Sequence, residues 1–405
     1  MSLPSALAAD ASSGRLGFSR EFDLLCAYAR VRLGREGLAS PASSNEAAID
    51  PAEFLRLAEH HGVLPLVARN LLDRERCMLP SDFVHLLRTS FEENVRRSLW
   101  FASELVRIAD HFQLRGLRAV PYKGPVLAES AYGDVALRRF SDLDLLIAPV
   151  EFGRAKEALG ELGYRPSAQM SPAVERYWLR EGYERSFDST AGKYLVELQW
   201  RVLPRLYAVD LRTEELLARC GRTSLGGRDV ACLSPEDSLL VLCLHAAKHL
   251  WMRLIWVCDI AETVRTQAVD WRLFLSRARD LGILRIVGVS FWLVRRLLDF
   301  ELPPTAQEFA DEDSEVPALG ELLATRLARS AVYDFESTEY FRWIWRLRER
   351  RGDRLRYLWR LVWTPGAGDL NAVRLPEALI PLYRGVRLAR LAMKVPSLAG
   401  LASSP

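Results

Sequence analysis

The sequence predicts an α+β protein, mostly helical, in which one small α/β core sits between an N-terminal and a C-terminal helical region. Apolar residues recur at helical spacing from about Phe22 to Phe112 and again from Ser234 almost to the end. Strand-like alternation is confined to the stretch between about Gly116 and Arg205. With 405 residues, 49% hydrophobic and 26% charged, the chain is long enough for two or three domains and a sizeable core. The expected division is a lead-in over 1–20, a helical region over 21–112, the α/β core with a small hairpin over 113–233, and a helical domain over 234–400.

Composition narrows the function classes. The 55 basic and 52 acidic side chains leave a net charge of +3, too little to argue for nucleic acid by bulk charge. Six cysteines are scattered and never form a Cys-x-x-Cys pair, which points to reduced thiols in a cytoplasmic protein rather than a disulfide framework. Residues 1–20 lack the basic leader and apolar run of a signal peptide and are expected to be disordered. The most apolar long segment, Leu281 to Leu298, carries Arg285, Arg295 and Arg296 and so reads as a soluble helix, not a membrane span.

Taken in order, Asp50-Pro51-Ala52-Glu53 is a helix start, with Asp50 as cap and Glu53 reaching back. Interruptions are expected at Ala39 to Asn45 and near Pro80. From Ser90 to Phe112 the residues Leu99, Phe101, Leu105, Ile108 and Phe112 form a helical stripe. Leu117 to Tyr122 reads as a strand with Pro121 at its end, where a missing donor is tolerated. Pro125 to Ala131 is a short helix, Ser141 to Ala148 a strand, Val150 to Leu162 a helix closed by Gly163, and Ser171 to Glu181 another helix. Tyr183 to Ser186 and Tyr194 to Val202 are strands joined by the turn-prone run Asp188 to Gly192. Gly226-Gly227 marks a hairpin within Arg222 to Leu233, and Ser234-Pro235-Glu236-Asp237 starts the next helix. Pro303-Pro304 and Asp311-Glu312-Asp313 form a linker-like break.

The chemistry concentrates in Val120 to Ile147. In the strand after Ser141, Asp142 and Asp144 share one face while Leu143 and Leu145 share the other. Two adjacent carboxylates are stable at neutral pH only when solvated, paired with cations such as Arg138 and Arg139, or bound to a metal. Lys123-Gly124 ends the preceding strand, and Tyr194 to Trp200 supplies a further acid, Glu197, opposite in facing to Leu198. His245 and His249 lie four apart on one helix face; with Asp259 they outline a weak zinc motif, and packing against the α/β core is the more frequent role for such a pair.

These residues resemble the uncharacterised bacterial nucleotidyltransferases catalogued as nucleotidyltransferase family 5, in the polymerase-β-like superfamily. The family pattern of Lys-Gly, Tyr and Arg-x-x-Ser-Asp-x-Asp-Leu-Leu falls here on Lys123, Gly124, Tyr132, Arg138, Ser141, Asp142, Asp144, Leu145 and Leu146, and continues into His245, His249, Trp256 and Asp259. The resemblance extends from about Asp50 to Arg390 and implies a polymerase-β-type core. It implies that Asp142, Asp144 and Glu197 are catalytic and hold Mg2+ or Mn2+, and that Lys123, Gly124, Arg138 and Ser141 meet a nucleoside triphosphate, ATP first among them. Lys248, His245 and His249 would be further substrate contacts. The implied reaction moves a nucleoside monophosphate to an unidentified acceptor, a small molecule, peptide or protein hydroxyl; the alternative is a silent module that binds a nucleotide or peptide without turnover. Two positions depart from the pattern. Pro125 stands where the wider superfamily has a serine, and Gln199 where this family often has a histidine.

The stretch from Phe341 to Trp363 interleaves arginines with tryptophans. Such a pattern suits nucleic acid or a membrane surface, but the expectation is a helical pair that buries its tryptophans and solvates its arginines.

Overall fold

The computed structural model describes residues 18–30, 50–74, 80–192 and 194–394. The expected lead-in, up to residue 17, and the interruption at Ala39 to Asn45 lie outside the described residues, as do residues 75–79 before Pro80.

Four helices precede the sheet: α1 (Arg20–Tyr28), α2 (Pro51–His60), α3 (Leu64–Arg74) and α4 (Ser81–Leu114). The Asp50 carboxylate accepts from the amides of Ala52 and Glu53, as the cap signal predicts. Glu53 does not reach back. It takes both prongs of Arg56 at 2.6 and 2.7 Å, because a guanidinium fork one turn away offers two charged donors against one backbone amide. Helix α4 runs for 34 residues, about 51 Å. Its first half enters one apolar cluster through Leu87, and its second half enters another through Phe101, Leu105, Ile108 and Phe112. Leu99 instead faces solvent, being ~200° round the helix from Phe101.

The core contains β1 (Ala119–Pro121), α5 (Gly124–Leu127), β2 (Leu143–Ile147), α6 (Phe152–Glu161), β3 (Tyr164–Pro166), α7 (Pro172–Glu181), β4 (Glu184–Ser189) and β5 (Leu195–Gln199). The strands form one five-stranded sheet in the order β1-β2-β5-β4-β3. Strands β2 and β5 pair in parallel; the other neighbours are antiparallel. Strand β3 was not among the expected elements. Its three residues are too few to show alternation, and it exists by pairing with β4 after the turn at Gly163. Next come α8 (Thr213–Ala218) and the expected hairpin, β6 (Gly221–Leu225) and β7 (Arg228–Cys232).

Because strand side chains alternate, the sheet has two different faces. Leu143, Leu145, Ile147, Val196, Leu198 and Phe187 point into the cluster closed by the second half of α4 and by α6. The opposite face carries Asp144, Glu197 and Gln199, while Val120, Tyr122 and Leu146 beside them join the cluster of the helical domain. The acidic face is therefore the one turned toward helices.

That helical domain is built from α9 (Pro235–Lys248), α10 (Leu254–Thr266), α11 (Trp271–Leu281), α12 (Leu284–Leu298), α13 (Pro304–Ala310), α14 (Glu315–Ala328) and α15 (Thr338–Leu347). Residues of α1–α3 share its apolar core, so the two helical regions are one body around the sheet. The linker-like break expected at Pro303 to Asp313 is structured: Pro304 opens α13, Phe309 and Val316 are buried, and Asp313 binds Arg285 at 2.7 Å. Gly288 lets α14 approach α12, since a Cβ there would lie 2.9 Å from Val316. Then α16 (Arg351–Trp363), α17 (Ala367–Ala372) and α18 (Tyr383–Lys394) follow. Leu370, Ile380 and Tyr383 return to the α/β core, where Tyr383 meets Tyr177 of α7 with ring centroids 6.1 Å apart. No helix among the described residues is long and apolar enough to cross a membrane.

His61 sits at the seam between α2 and α10. It is fully buried, its Nδ1 accepts from the Leu254 amide at 3.4 Å, and its carbonyl accepts from Ile255. Burial, helped by neighbouring His60 and arginines, drives its pKa down to about 3. The unfolded chain therefore takes up a proton near the ordinary histidine value while the folded chain does not. Stability supplied by the neutral ring is complete above pH ~6.5 and falls by about 1.4 kcal/mol per pH unit toward pH 3. Urea midpoints measured across this window should flatten by one proton in His61→Gln; an unchanged slope would contradict the assignment.

Candidate active site

The two ends of the Lys-Gly turn are fixed by different requirements. Lys123 is extended, whereas Gly124 adopts φ +58°, a left-handed conformation that costs glycine least. This turn brings Lys123 across β2, where its Nζ lies 3.0 Å from Asp144 Oδ1. Asp144 is almost wholly buried at the start of β2, Asp142 is partly buried just before it, and Ser141 is exposed.

Sheet register gathers the remaining carboxylates. Asp144 stands opposite Glu197 in the β2–β5 pair, and Gln199 stands opposite Glu184 in the β5–β4 pair, so all four share the acidic face. Gln199 Nε2 is 2.8 Å from Asp144 Oδ1, 3.0 Å from Glu184 Oε2 and 3.0 Å from Glu197 Oε2. An amide has only two N–H groups, so three carboxylates compete for them. The Tyr122 hydroxyl donates to Gln199 Oε1, which fixes which end of the amide faces the acids. Glu184, Tyr122 and Tyr183 were not among the residues picked out by sequence. Alternation within Tyr183 to Ser186 was the available signal, but only the pairing partner reveals which face is acidic.

Crowding has electrostatic consequences. Burial raises the Glu197 carboxyl to about 8, and Glu184, Asp144 and Asp142 add to the rise. Burial and Asp144 also raise Asp142, against the pull of Lys123 and Arg138. Lys123 is held above its ordinary value because Asp144 and Asp142 outweigh its burial. Lys248, whose Nζ is 3.4 Å from the Tyr183 hydroxyl, is lowered by burial despite attraction to Glu184. Two cations thus line the same acidic cleft.

One expected contact, Arg138, is placed differently. Arg138 does not reach toward the cleft to grip phosphate or the aspartates; its Nε and Nη2 bind Asp259 of α10 at 2.9 and 3.0 Å, and the Tyr132 hydroxyl donates to the same carboxylate at 2.7 Å. Asp259 is fully buried, and a buried carboxylate needs a charged fork more than a solvated phosphate would. This also removes Asp259 from any zinc site. His245 and His249 instead pack around Trp256, with ring centroids 5.3 and 5.0 Å away. Burial drives His249 down to about 2 and His245 well below its usual value, with Lys123 adding to both, so neutral rings form an aromatic wall beside the cleft.

Among the described residues no three His, Cys, Asp or Glu side chains converge at metal-holding geometry. The donor chemistry nevertheless suits a hard divalent cation: carboxylate oxygens from three strands, with Lys123 and the Gln199 amide supplying positive ends among them.

A mixed sheet with a lysine-glycine turn, an Asp-x-Asp strand and an acid on the parallel neighbour is the arrangement expected from the resemblance to nucleotidyltransferases. Residues 47–299 match the model of a family described as uncharacterised nucleotidyltransferase, more than half of the chain, and the chain belongs to that family. No curated protein and no solved structure matches it.

Two measurements test this electrostatic account. Asp259→Ala strands Arg138 in the interior and should cost about 3–5 kcal/mol in urea unfolding, with part of the loss recovered by adding Arg138→Leu. Glu197 has a folded pKa above its unfolded one, so its favourable contribution is complete at acid pH and is lost as pH rises through 8. Glu197→Gln keeps an acceptor for Gln199 and removes the repulsion; at pH above 8 it should stabilise the metal-free protein by about 1–3 kcal/mol. A variant no more stable than the parent there would refute the crowding.

Proposed function

We propose that the acidic cleft transfers a nucleoside monophosphate from ATP or another nucleoside triphosphate to an acceptor hydroxyl, with Mg2+ or Mn2+. The observation that carries this reading is the convergence of Asp144, Glu197 and Glu184 on the Gln199 amide, beside Lys123. Asp142, Asp144 and Glu197 would hold the ions, with Glu184 as a further carboxylate. Bound there, the metal supplies Lewis-acid stabilisation of the phosphoryl oxygens.

The chain's own residues do the rest. Lys123 and Lys248 offset the charge of the triphosphate, and the glycine at position 124 keeps side-chain bulk away from it. A bond forms between the acceptor oxygen and the α-phosphorus while the bond to the bridging oxygen breaks, and pyrophosphate leaves. The hydroxyl proton passes to a carboxylate, Asp144 or Glu197. Glu197 acts as base only when ionised, so transfer should rise toward alkaline pH unless bound cation has already expelled its proton. Neutral His245, His249 and Trp256 form an apolar wall for the base or the acceptor. Arg138, tied to Asp259, orients the turn before β2, and its charge opposes part of the rise that burial and Asp144 impose on Asp142.

Incubation with α-labelled triphosphates, Mg2+ or Mn2+ and a cell extract as acceptor source tests the reading. Label transfer should fall roughly 1,000-fold or more in Asp142→Ala/Asp144→Ala. If the parent transfers nothing, or the variant transfers as much, catalysis fails; metal-dependent triphosphate binding without transfer would favour the silent binding module.

A further inference from the structure

The arginine-tryptophan stretch divides into two halves. Trp343 of α15 is buried, as expected, but Trp359 on α16 is 65% exposed and Trp363 is 38% exposed, their rings 5.4 Å apart. Tyr357 and Leu361 turn inward, so α16 is anchored by one face while Leu355, Leu358 and Trp359 stand on the other. The neighbouring α18 repeats the arrangement. Tyr383 and Arg387 are buried, the latter donating to the Leu361 carbonyl at 3.1 Å, while Leu388 and Met393 are exposed. Two packed helices thus hold their outer apolar residues in water.

Charge accompanies this surface. From Phe341 to Lys394 the sequence has thirteen Lys and Arg against four Asp and Glu, a local +9, of which Arg348 is paired with Asp353, Arg356 and Arg360 with Asp210, and Arg387 and Arg390 with Asp369. Arg351 is exposed on α16, and Arg384 is half exposed on α18, 3.9 Å from Glu181. We infer that the outer faces of α16 and α18 dock on an anionic lipid bilayer, with Trp359, Leu355 and Leu388 entering the headgroup layer and the arginines meeting lipid phosphates. Tryptophan with arginine is the pairing that favours a membrane interface. Trp359 and Trp363 could stack on nucleobases, but the exposed leucines and methionine around them offer no such stacking and suit an acyl layer, which favours lipid over RNA. A second copy would bring like charge against like charge, which disfavours self-association through this face. The surface lies beyond residue 299, where the family match ends, so it stands independently of the transfer reaction.

Flotation of the full chain with vesicles tests it. The chain should float with phosphatidylcholine vesicles containing roughly 30% phosphatidylglycerol at about 0.1 M salt, and about 10-fold less with phosphatidylcholine alone or at about 0.5 M salt. Leu355→Ser/Trp359→Ser and, separately, Arg351→Gln/Arg384→Gln should each reduce flotation about 5-fold or more while leaving the thermal melt in place, since these side chains are exposed. Absence of flotation on the anionic vesicles overturns the inference, as does equal flotation of the parent and both folded variants. Tight binding of a single-stranded RNA, lost in the same variants and without flotation, overturns it in favour of nucleic acid; a dimer abolished by the Leu355/Trp359 variant overturns it in favour of a second copy.

Discussion

Mutual repulsion among carboxylates in a half-buried cleft is the constraint from which most of this structure follows. Burial and repulsion from neighbouring acids hold Asp142 and Glu197 above the ordinary carboxylate range. The chain answers with Lys123 on Asp144, the Gln199 amide between three acids, and Lys248 at the rim. None of these is a full neutralisation. An amide whose two N–H groups are shared among three carboxylates satisfies them only in part.

Holding that arrangement requires the helical body to stay registered against the sheet. The buried Asp259 does this from α10 by binding Arg138 and Tyr132, both from the segment between the glycine turn and β2. Asp237 plays a comparable part at the start of α9, where Arg219 binds it at 3.0 Å and Arg277 also pairs with it. Such pairs contribute little net stability over an apolar replacement, yet breaking one side is costly, so they act as alignment devices.

Much of this was legible in the sequence, for identifiable reasons. Alternation around Leu143 and Leu145 put Asp144 on the face opposite them, the register of β2 with β5 brought Glu197 opposite it, and Asp142, expected within the strand, falls just before it. Helix starts at Asp50 and Ser234 were readable because capping is local chemistry. What could not be read depended on distant partners. Arg138 looks like a phosphate ligand until Asp259, more than a hundred positions away, is seen to occupy it. Glu184 became visible only through its pairing with Gln199, and β3 only through β4. The tryptophans of the basic stretch carry no local mark separating buried Trp343 from exposed Trp359.

The long helix α4 has a consequence for how the molecule can be divided. Its first half is part of the helical body and its second half is the roof of the sheet, while the last helices come back to seal α7. A boundary drawn at residue 113 would separate the sheet from its own roof, and one drawn at 234 would remove the wall of its cleft. The chain is modular in its order of elements but not in its packing: the α/β core is a region whose apolar face and cleft wall are supplied by helices before and after it.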